Sequence, residues 1–182
     1  TTVRGYEGAG RGFTVRFRER LAESTHDVTD VELQEPIRYA RNDPIEAWLA
    51  WTLLLDAEPP ADQLVAGATT DSVYYRRIDA DDLVDDEELL RSIAGLLVAA
   101  NYKTEPDDIV RLLDAPNLEL RALTHDGQPV SVALLAREGG LSSERQATIY
   151  RGQRVRGNML PDVLTSQLRD PTAADPVGYR VM

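Results

Sequence analysis

The amino-acid sequence predicts a mixed α/β protein in two parts, on three observations. Apolar residues recur at 3.6-residue spacing over 45–53, 85–101 and 104–115, the mark of amphipathic helices. They alternate with polar residues on both sides of "HDGQ", residues 125–128, the pattern of a β-hairpin. Between the two parts, "DAEPPADQLVAGATT", residues 56–70, is rich in Ala, Pro and acid without a period, which marks a boundary.

The elements follow in order. From Arg11 a helix is expected with Phe13, Phe17 and Leu21 on a narrow apolar face and Arg11, Arg16, Arg18 and Arg20 on the other side, interrupted by Glu19. A short strand is expected over 28–33. The next helix is capped by Asn42 or Asp43, takes Pro44 into its first turn, and aligns Ile45, Trp48, Leu49, Thr52 and Leu53. "DSVYYRRI", residues 71–78, reads as a strand. Residues 85–101 form a helix with acids in the first turn and Leu89, Leu90, Ile93, Leu96, Leu97 and Ala100 on one face. Thr104 opens another helix, with Asp107 three residues on and Ile109, Leu112 and Leu113 inward, until Pro116 stops it. In the hairpin, Leu118, Leu120 and Ala122 lead into the turn and Val130, Val132 and Leu134 lead out. "EGGLS" breaks the chain, helical stretches follow near 142–150 and 160–169, and Val177 starts a last strand. Asp81, Asp82, Asp85 and Asp86 match no EF-hand spacing; a helix start and an acidic surface account for them.

Composition narrows the function classes. With no cysteine, disulfides and thiolate metal sites are excluded, and two histidines, His26 and His125, do not make a histidine-rich metal site. No apolar run approaches the ~20 residues that cross a bilayer, and no signal-peptide pattern opens the chain, so a cytoplasmic protein with no membrane partner is expected. Thirty-one acids face twenty bases for a net charge of −11, and Lys103 is the only lysine among those bases. Acid excess with arginine in place of lysine fits a protein kept soluble in concentrated salt. At molar salt a net negative charge does not exclude nucleic acid, so local clusters matter more than the sum. The chain begins at Thr1 without Met and ends on "VGYRVM"; both ends are expected to be cuts.

"GYEGAGRGF", residues 5–13, asks whether a phosphate loop is present. Such a loop needs a lysine for the outer phosphates and a Ser or Thr for the metal, and here Arg11 follows Gly10, with no Lys-Ser or Lys-Thr pair in the stretch. The spacing of Gly8, Gly10 and Gly12 also misses the dinucleotide pattern.

The stretches "TTVRGYEGAGRGF", "EPIRYARNDPIEAWL", "AANYKTEPDDIVRLLDAP", "REGGLS" and "RGQRVRGNMLPDVLTSQ", in this order and spacing, resemble the tRNA(Met) cytidine acetyltransferase family over nearly the whole chain. The order strand, helix, helix, strand, strand, mixed region, strand also matches the opening half of a GNAT-type acetyltransferase fold. The resemblance implies a fold class of α/β type: the C-terminal part of a RecA/helicase-like module followed by the N-terminal half of a GNAT acetyltransferase fold. It divides the chain into 1–57, the end of the ATPase module; 58–70, a linker; and 71–182, the front of the acetyltransferase module. Members couple ATP hydrolysis to acetylation of the exocyclic amine of a cytidine in tRNA, with acetyl-CoA as donor and ATP, with Mg, as fuel; no DNA partner is expected. On this resemblance "GYEGAGRGF" follows the acidic nucleotide-hydrolysis motif and is not the phosphate loop. The family usually carries Thr at the position of Ala9 and His at that of Asn101. The glycine-rich turn that grips the pyrophosphate of acetyl-CoA is expected after Met182.

The resemblance also nominates site residues. Arg38, in "EPIRYA", matches the family's arginine that contacts bound ATP, a role suited to a permanently charged planar fork; a surface ion pair is the other reading. Tyr102 is the candidate catalytic residue, donating a proton to the departing thiolate, or else a helix-end aromatic on the core. Lys103 is a candidate acceptor contact or an exposed salt bridge. Arg145, Arg151, Arg154 and Arg156 make "RGQRVRGN" locally cationic: Arg151, Arg154 and Arg156 would hold RNA phosphates, and Gly157 and Asn158 would bring backbone close to an extruded nucleotide. The other reading is a solvated loop paired with carboxylates. At the level of the whole protein two alternatives stand: a GNAT-related acetyltransferase acting on a protein or small molecule, and a non-catalytic RNA-binding module.

Overall fold

In the computed structural model, which describes residues 37–100 and 106–182 and single positions between 20 and 31, the first full helix begins where its cap dictates. The helix expected from Arg11 and the strand expected at 28–33 lie largely outside the described residues. Asp43 accepts hydrogen bonds from the amides of Ile45 at 2.8 Å and Glu46 at 3.4 Å, and Pro44 opens helix α1 (Pro44–Thr52). Replacing Asp43 by Ala is expected to cost about 1 kcal/mol, read as a lower melting temperature, whereas Asn should cost only a few tenths. The helix ends in a Schellman motif, with Leu54 N bonded to Trp51 O at 3.2 Å and Leu55 N to Ala50 O at 2.8 Å. Leu54 therefore adopts a φ of 53°, a conformation that disfavours a side chain by about 1–2 kcal/mol and is offset here by burial of the leucine.

The stripe expected to face inward from α1 does not. Ile45 and Trp48 are 58% and 61% exposed, while Ala50 and Leu54 are buried. Leu54 and Ala57 pack with Ala94 against Leu90 and Ile109, so a small-residue side of the helix end meets the rest of the chain. Periodicity identifies a stripe; which side finds a partner depends on what packs there.

After a single helical turn, α2 (Asp62–Val65), inside the stretch expected to be irregular, come β1 (Tyr74–Ile78), α3 (Ala80–Asp85), α4 (Glu87–Ala100) and α5 (Pro106–Asp114). The helix expected over 85–101 is α4, and a short helix that was not expected, α3, precedes it. Asp86 is extended between them, and its carboxylate accepts from Leu89 N at 2.9 Å, so the same acid that stops α3 caps α4. Asp82 accepts from Asp79 N at 3.2 Å and pairs with Arg76 at 3.3 Å, which gives two of these acids local structural partners.

Strands β2 (Leu118–His125) and β3 (Gln128–Gly139) form the expected hairpin, and β4 (Val177–Val181) joins beyond helices α6 (Ser143–Tyr150) and α7 (Met159–Leu168). The four strands are antiparallel in the order β1-β2-β3-β4. His125 pairs with Gln128 across Asp126 and Gly127, at φ 48° and 83°, the two left-handed residues of a tight hairpin turn. Past the turn Thr124 opposes Pro129 and Leu123 opposes Ser131, so Val130 is the extra residue of a bulge. Proline has no N–H to offer the ladder, which is why the register shifts there and why Val130 does not begin the inward series. Ile78, Leu120, Ala122, Val132 and Leu134 occupy one sheet face and pack with Leu83, Leu89, Ile93 and Leu112 from α3, α4 and α5. A four-stranded mixed α/β layer results, with helices after the first strand and a hairpin leading to β4.

Candidate functional site

The cationic loop expected at "RGQRVRGN" is built by two glycines. Helix α6 ends at Tyr150, and Arg151 is its C-cap. Gly152 follows at φ 87°, with its N–H bonded to Ile149 O at 2.8 Å and Gln153 N to Thr148 O at 3.1 Å, a second Schellman motif. A side chain at that φ is strained, so Gly152 sets the direction in which the loop leaves the helix. At the other end Gly157, at φ 75°, precedes Asn158, the N-cap of α7. A Cβ on Gly157 would sit 3.3 Å from the Asn117 amide nitrogen, which itself donates to Gly157 O at 3.4 Å and Arg137 O at 3.5 Å.

Asn158 does not cap α7 with its own side chain. Its Oδ1 accepts from Gly139 N, at the end of β3, at 3.0 Å, and its Nδ2 donates to Arg156 O at 3.1 Å. The capping acceptor comes instead from β3: Glu138, 2% exposed, accepts from Leu160 N at 2.6 Å through one oxygen. Its other oxygen accepts from Arg180 Nε of β4 at 2.8 Å. A negative charge suits the positive end of a helix, and the guanidinium compensates what burial costs the carboxylate. The loop is therefore tied to the sheet at Gly139, Asn117 and Glu138.

The arginines themselves point outward. Arg151, Arg154 and Arg156 are exposed, and among the described residues Arg154 alone of the three reaches a carboxylate, Asp162, at a long 3.9 Å. Arg169 lies over the Tyr150 ring at 4.9 Å, closing off the adjacent end of α6. Past α7, Asp170 accepts from Thr172 N at 2.8 Å and Thr172 Oγ1 at 2.7 Å, and these bonds hold its carboxyl below the usual range.

Strand β4 lies on the other side of β3 from β2 and, among the described residues, pairs with β3 alone. Met182 N bonds to Leu134 O at 2.9 Å, so the even-numbered residues of β4 turn their backbone groups to β3. By antiparallel alternation the N–H and C=O groups of Val177, Tyr179 and Val181 face the open edge.

The structure brings together Arg151, Arg154, Arg156, Gly157 and Asn158. Arg38 is exposed on the bend at 37–39, with no hydrogen-bond or ion-pair partner among the described residues, and is not joined to that loop. Tyr102 and Lys103 lie outside the described residues. Glu138, Arg180 and Asn117 went unnoticed in the sequence. For Glu138 a signal existed: in the alternation Val132, Leu134, Ala136, Glu138 a charged residue stands at an inward position.

Comparison with known proteins adds sequence likeness to this geometry. Residues 1–56 match the family described as RNA cytidine acetyltransferase NAT10/TcmA, helicase domain, and residues 92–182, half of the chain, match GNAT acetyltransferase 2. The chain is 66% identical over all its 182 residues to the tRNA(Met) cytidine acetyltransferase TmcA of Haloferax volcanii, and 63% identical, again over its full length, to that of Haloarcula marismortui. Against the Thermococcus kodakarensis protein of the same name it is 37% identical over 186 aligned positions. It spans 24%, 24% and 23% of those three relatives, about a quarter of their length.

Proposed function

This chain belongs to the tRNA(Met) cytidine acetyltransferase family, and from that membership we propose that it is the part of such an enzyme in which the end of an ATPase module, 1–57, passes through a linker, 58–70, into the front of an acetyltransferase module, 71–182. The reaction proposed is transfer of an acetyl group to the exocyclic N4 of a cytidine in tRNA, in the cytoplasm. The observation that supports it best is the arginine loop, exposed at Arg151, Arg154 and Arg156 and tied to the end of β3 through Asn158 and Gly139.

Acetyl-CoA, when bound, supplies an acetyl group activated as a thioester. Arg151, Arg154 and Arg156 hold phosphates of the tRNA and fix its register without reading sequence. Gly157, bare of a side chain, and Asn158 let the extruded cytidine approach the backbone. The N–H groups of Tyr179 and Val181 face the edge where the acyl carbonyl would lie and offer hydrogen bonds to the negative charge that develops on its oxygen. Cytidine N4 is weakly basic, so orientation contributes more than proton removal. Tyr102 is assigned the proton that the departing thiolate takes up, and Lys103 a contact to the acceptor. Arg38 is assigned to the phosphates of ATP, a partner its exposed guanidinium fits; Mg would accompany the nucleotide.

The test is formation of N4-acetylcytidine. The enzyme containing these residues, given acetyl-CoA, ATP and tRNA, should acetylate cytidine, detected by mass spectrometry of nucleosides. Acetylation of protein or small amines without any RNA product would favour the other transferase reading; tight RNA binding with no acetyl-CoA binding would favour a non-catalytic RNA module.

A further inference from the structure

Glu138 is a costly residue to keep for stability alone. It is 2% exposed in a strand whose neighbours on the same face, Leu134 and Ala136, are apolar. A buried ion pair gives up most of its attraction to desolvation, and an apolar residue of similar volume would hold a core about as well. What an apolar residue cannot supply is direction. The two carboxylate oxygens of Glu138 bind two different elements: Arg180 Nε on β4 at 2.8 Å and Leu160 N in the first turn of α7 at 2.6 Å. Next to it Gly139 N holds Asn158 at 3.0 Å, and Gly139 approaches β4 so closely that an added Cβ would lie 2.0 Å from Pro176 O. Thus one side chain ties the start of α7, and with it the end of the arginine loop, to β4, the strand assigned to the donor under the proposed function.

We propose that Glu138 is a positioning residue that aligns the RNA-holding loop with β4, so that acceptor amine and acyl carbonyl meet in a single geometry. This rests on the transferase reading above. Its signature is a loss of turnover without a matching loss of binding: the loop still carries its arginines and β4 still has its free edge, but their relative placement is relaxed. A displacement on the ångström scale is enough to cost roughly 10- to 100-fold in rate.

The experiment uses the enzyme that contains these residues. Glu138→Gln retains an acceptor for Leu160 N but turns an amide donor or a neutral oxygen toward Arg180. It is expected to lower kcat for tRNA acetylation at least tenfold while the separately measured Kd values for tRNA and acetyl-CoA stay within about threefold. The double variant Glu138→Gln with Arg180→Gln restores a neutral hydrogen-bonded pair and is expected to recover most of kcat. It also serves if the single variant does not fold. Unchanged kcat in a folded Glu138→Gln enzyme would overturn the inference. So would a loss of kcat accompanied by equal losses of both affinities, or a folded double variant no faster than the single. A wild-type enzyme that makes no N4-acetylcytidine would overturn the transferase reading and this inference with it.

Discussion

Replacing Arg151, Arg154 and Arg156 together by Ala is expected to weaken tRNA binding about 100-fold at moderate salt, with each single change costing roughly fivefold. The three guanidiniums are exposed, and among the described residues their single carboxylate contact, from Arg154 to Asp162, is 3.9 Å long, so little of their charge is spent on those residues. Each phosphate they neutralise releases a counterion, and removing three such contacts should flatten the plot of log affinity against log salt by about 2–3 units. The same reasoning sets a condition for the measurement. As salt approaches about 1 M, the concentration at which counterion release ceases to contribute, wild type and variant should converge. The fold is not at risk, because the loop is held by Gly152, Asn158 and Glu138 and not by the arginine heads. Filter binding or fluorescence anisotropy across a salt series reads both effects. A triple variant that binds tRNA with wild-type affinity and slope would remove this loop from the interface.

A large stability effect is expected at Gly95, in the middle of α4, where a substitution to Ala runs against helix propensity. In an exposed helix that change gains about 1 kcal/mol, because glycine is the poorer helix former. Here a Cβ would lie 2.1 Å from Glu58 C, 2.3 Å from Glu58 O and 2.4 Å from Pro59 N. These are backbone atoms and cannot rotate away as a side-chain tip would. Either α4 or the segment at 58–59 must move, and Leu54, Ala57 and Ala94, which are packed on one another beside this contact, move with it. Overpacking of this kind costs about 1–3 kcal/mol, and more where both partners are backbone, so Gly95→Ala should lower the melting temperature by several degrees. Gly178 is the matched control: it lies in β4 with nothing within 4 Å of its would-be Cβ, and Ala there should leave stability nearly unchanged. A Gly95→Ala protein as stable as wild type would mean that the chain does not pass over α4 at Glu58 and Pro59.

Much of the fold could be read from local pattern. The apolar series of α4 and α5, the two-residue turn at Asp126-Gly127 and the break at Gly139-Gly140 all rest on interactions within a few residues, and each stands where the pattern placed it. The arginine loop was legible for the same reason: its charge and its glycines are consecutive in the chain. Misplaced features share the opposite character. Asp86 reads as one more acid in a helix start, yet it stands extended between α3 and α4, and α3 itself has no counterpart in the apolar pattern. Ile45 and Trp48 have the right spacing for an inward stripe, yet Ala50 and Leu54 are the buried pair.

Local order in the sequence therefore establishes which segments are helix or strand, where they are capped, and which stretch carries the cations, since a hydrogen bond or a period of three or four residues is complete within its own window. The fold contributes what lies between segments: Glu138 meets Leu160 across 22 positions and Arg180 across 42, and Gly95 meets Glu58 across α2, β1 and α3. No window of sequence contains both members of such pairs. Their geometry follows only once burial has packed the helices on the sheet and brought the end of β3, the start of α7 and β4 into one place.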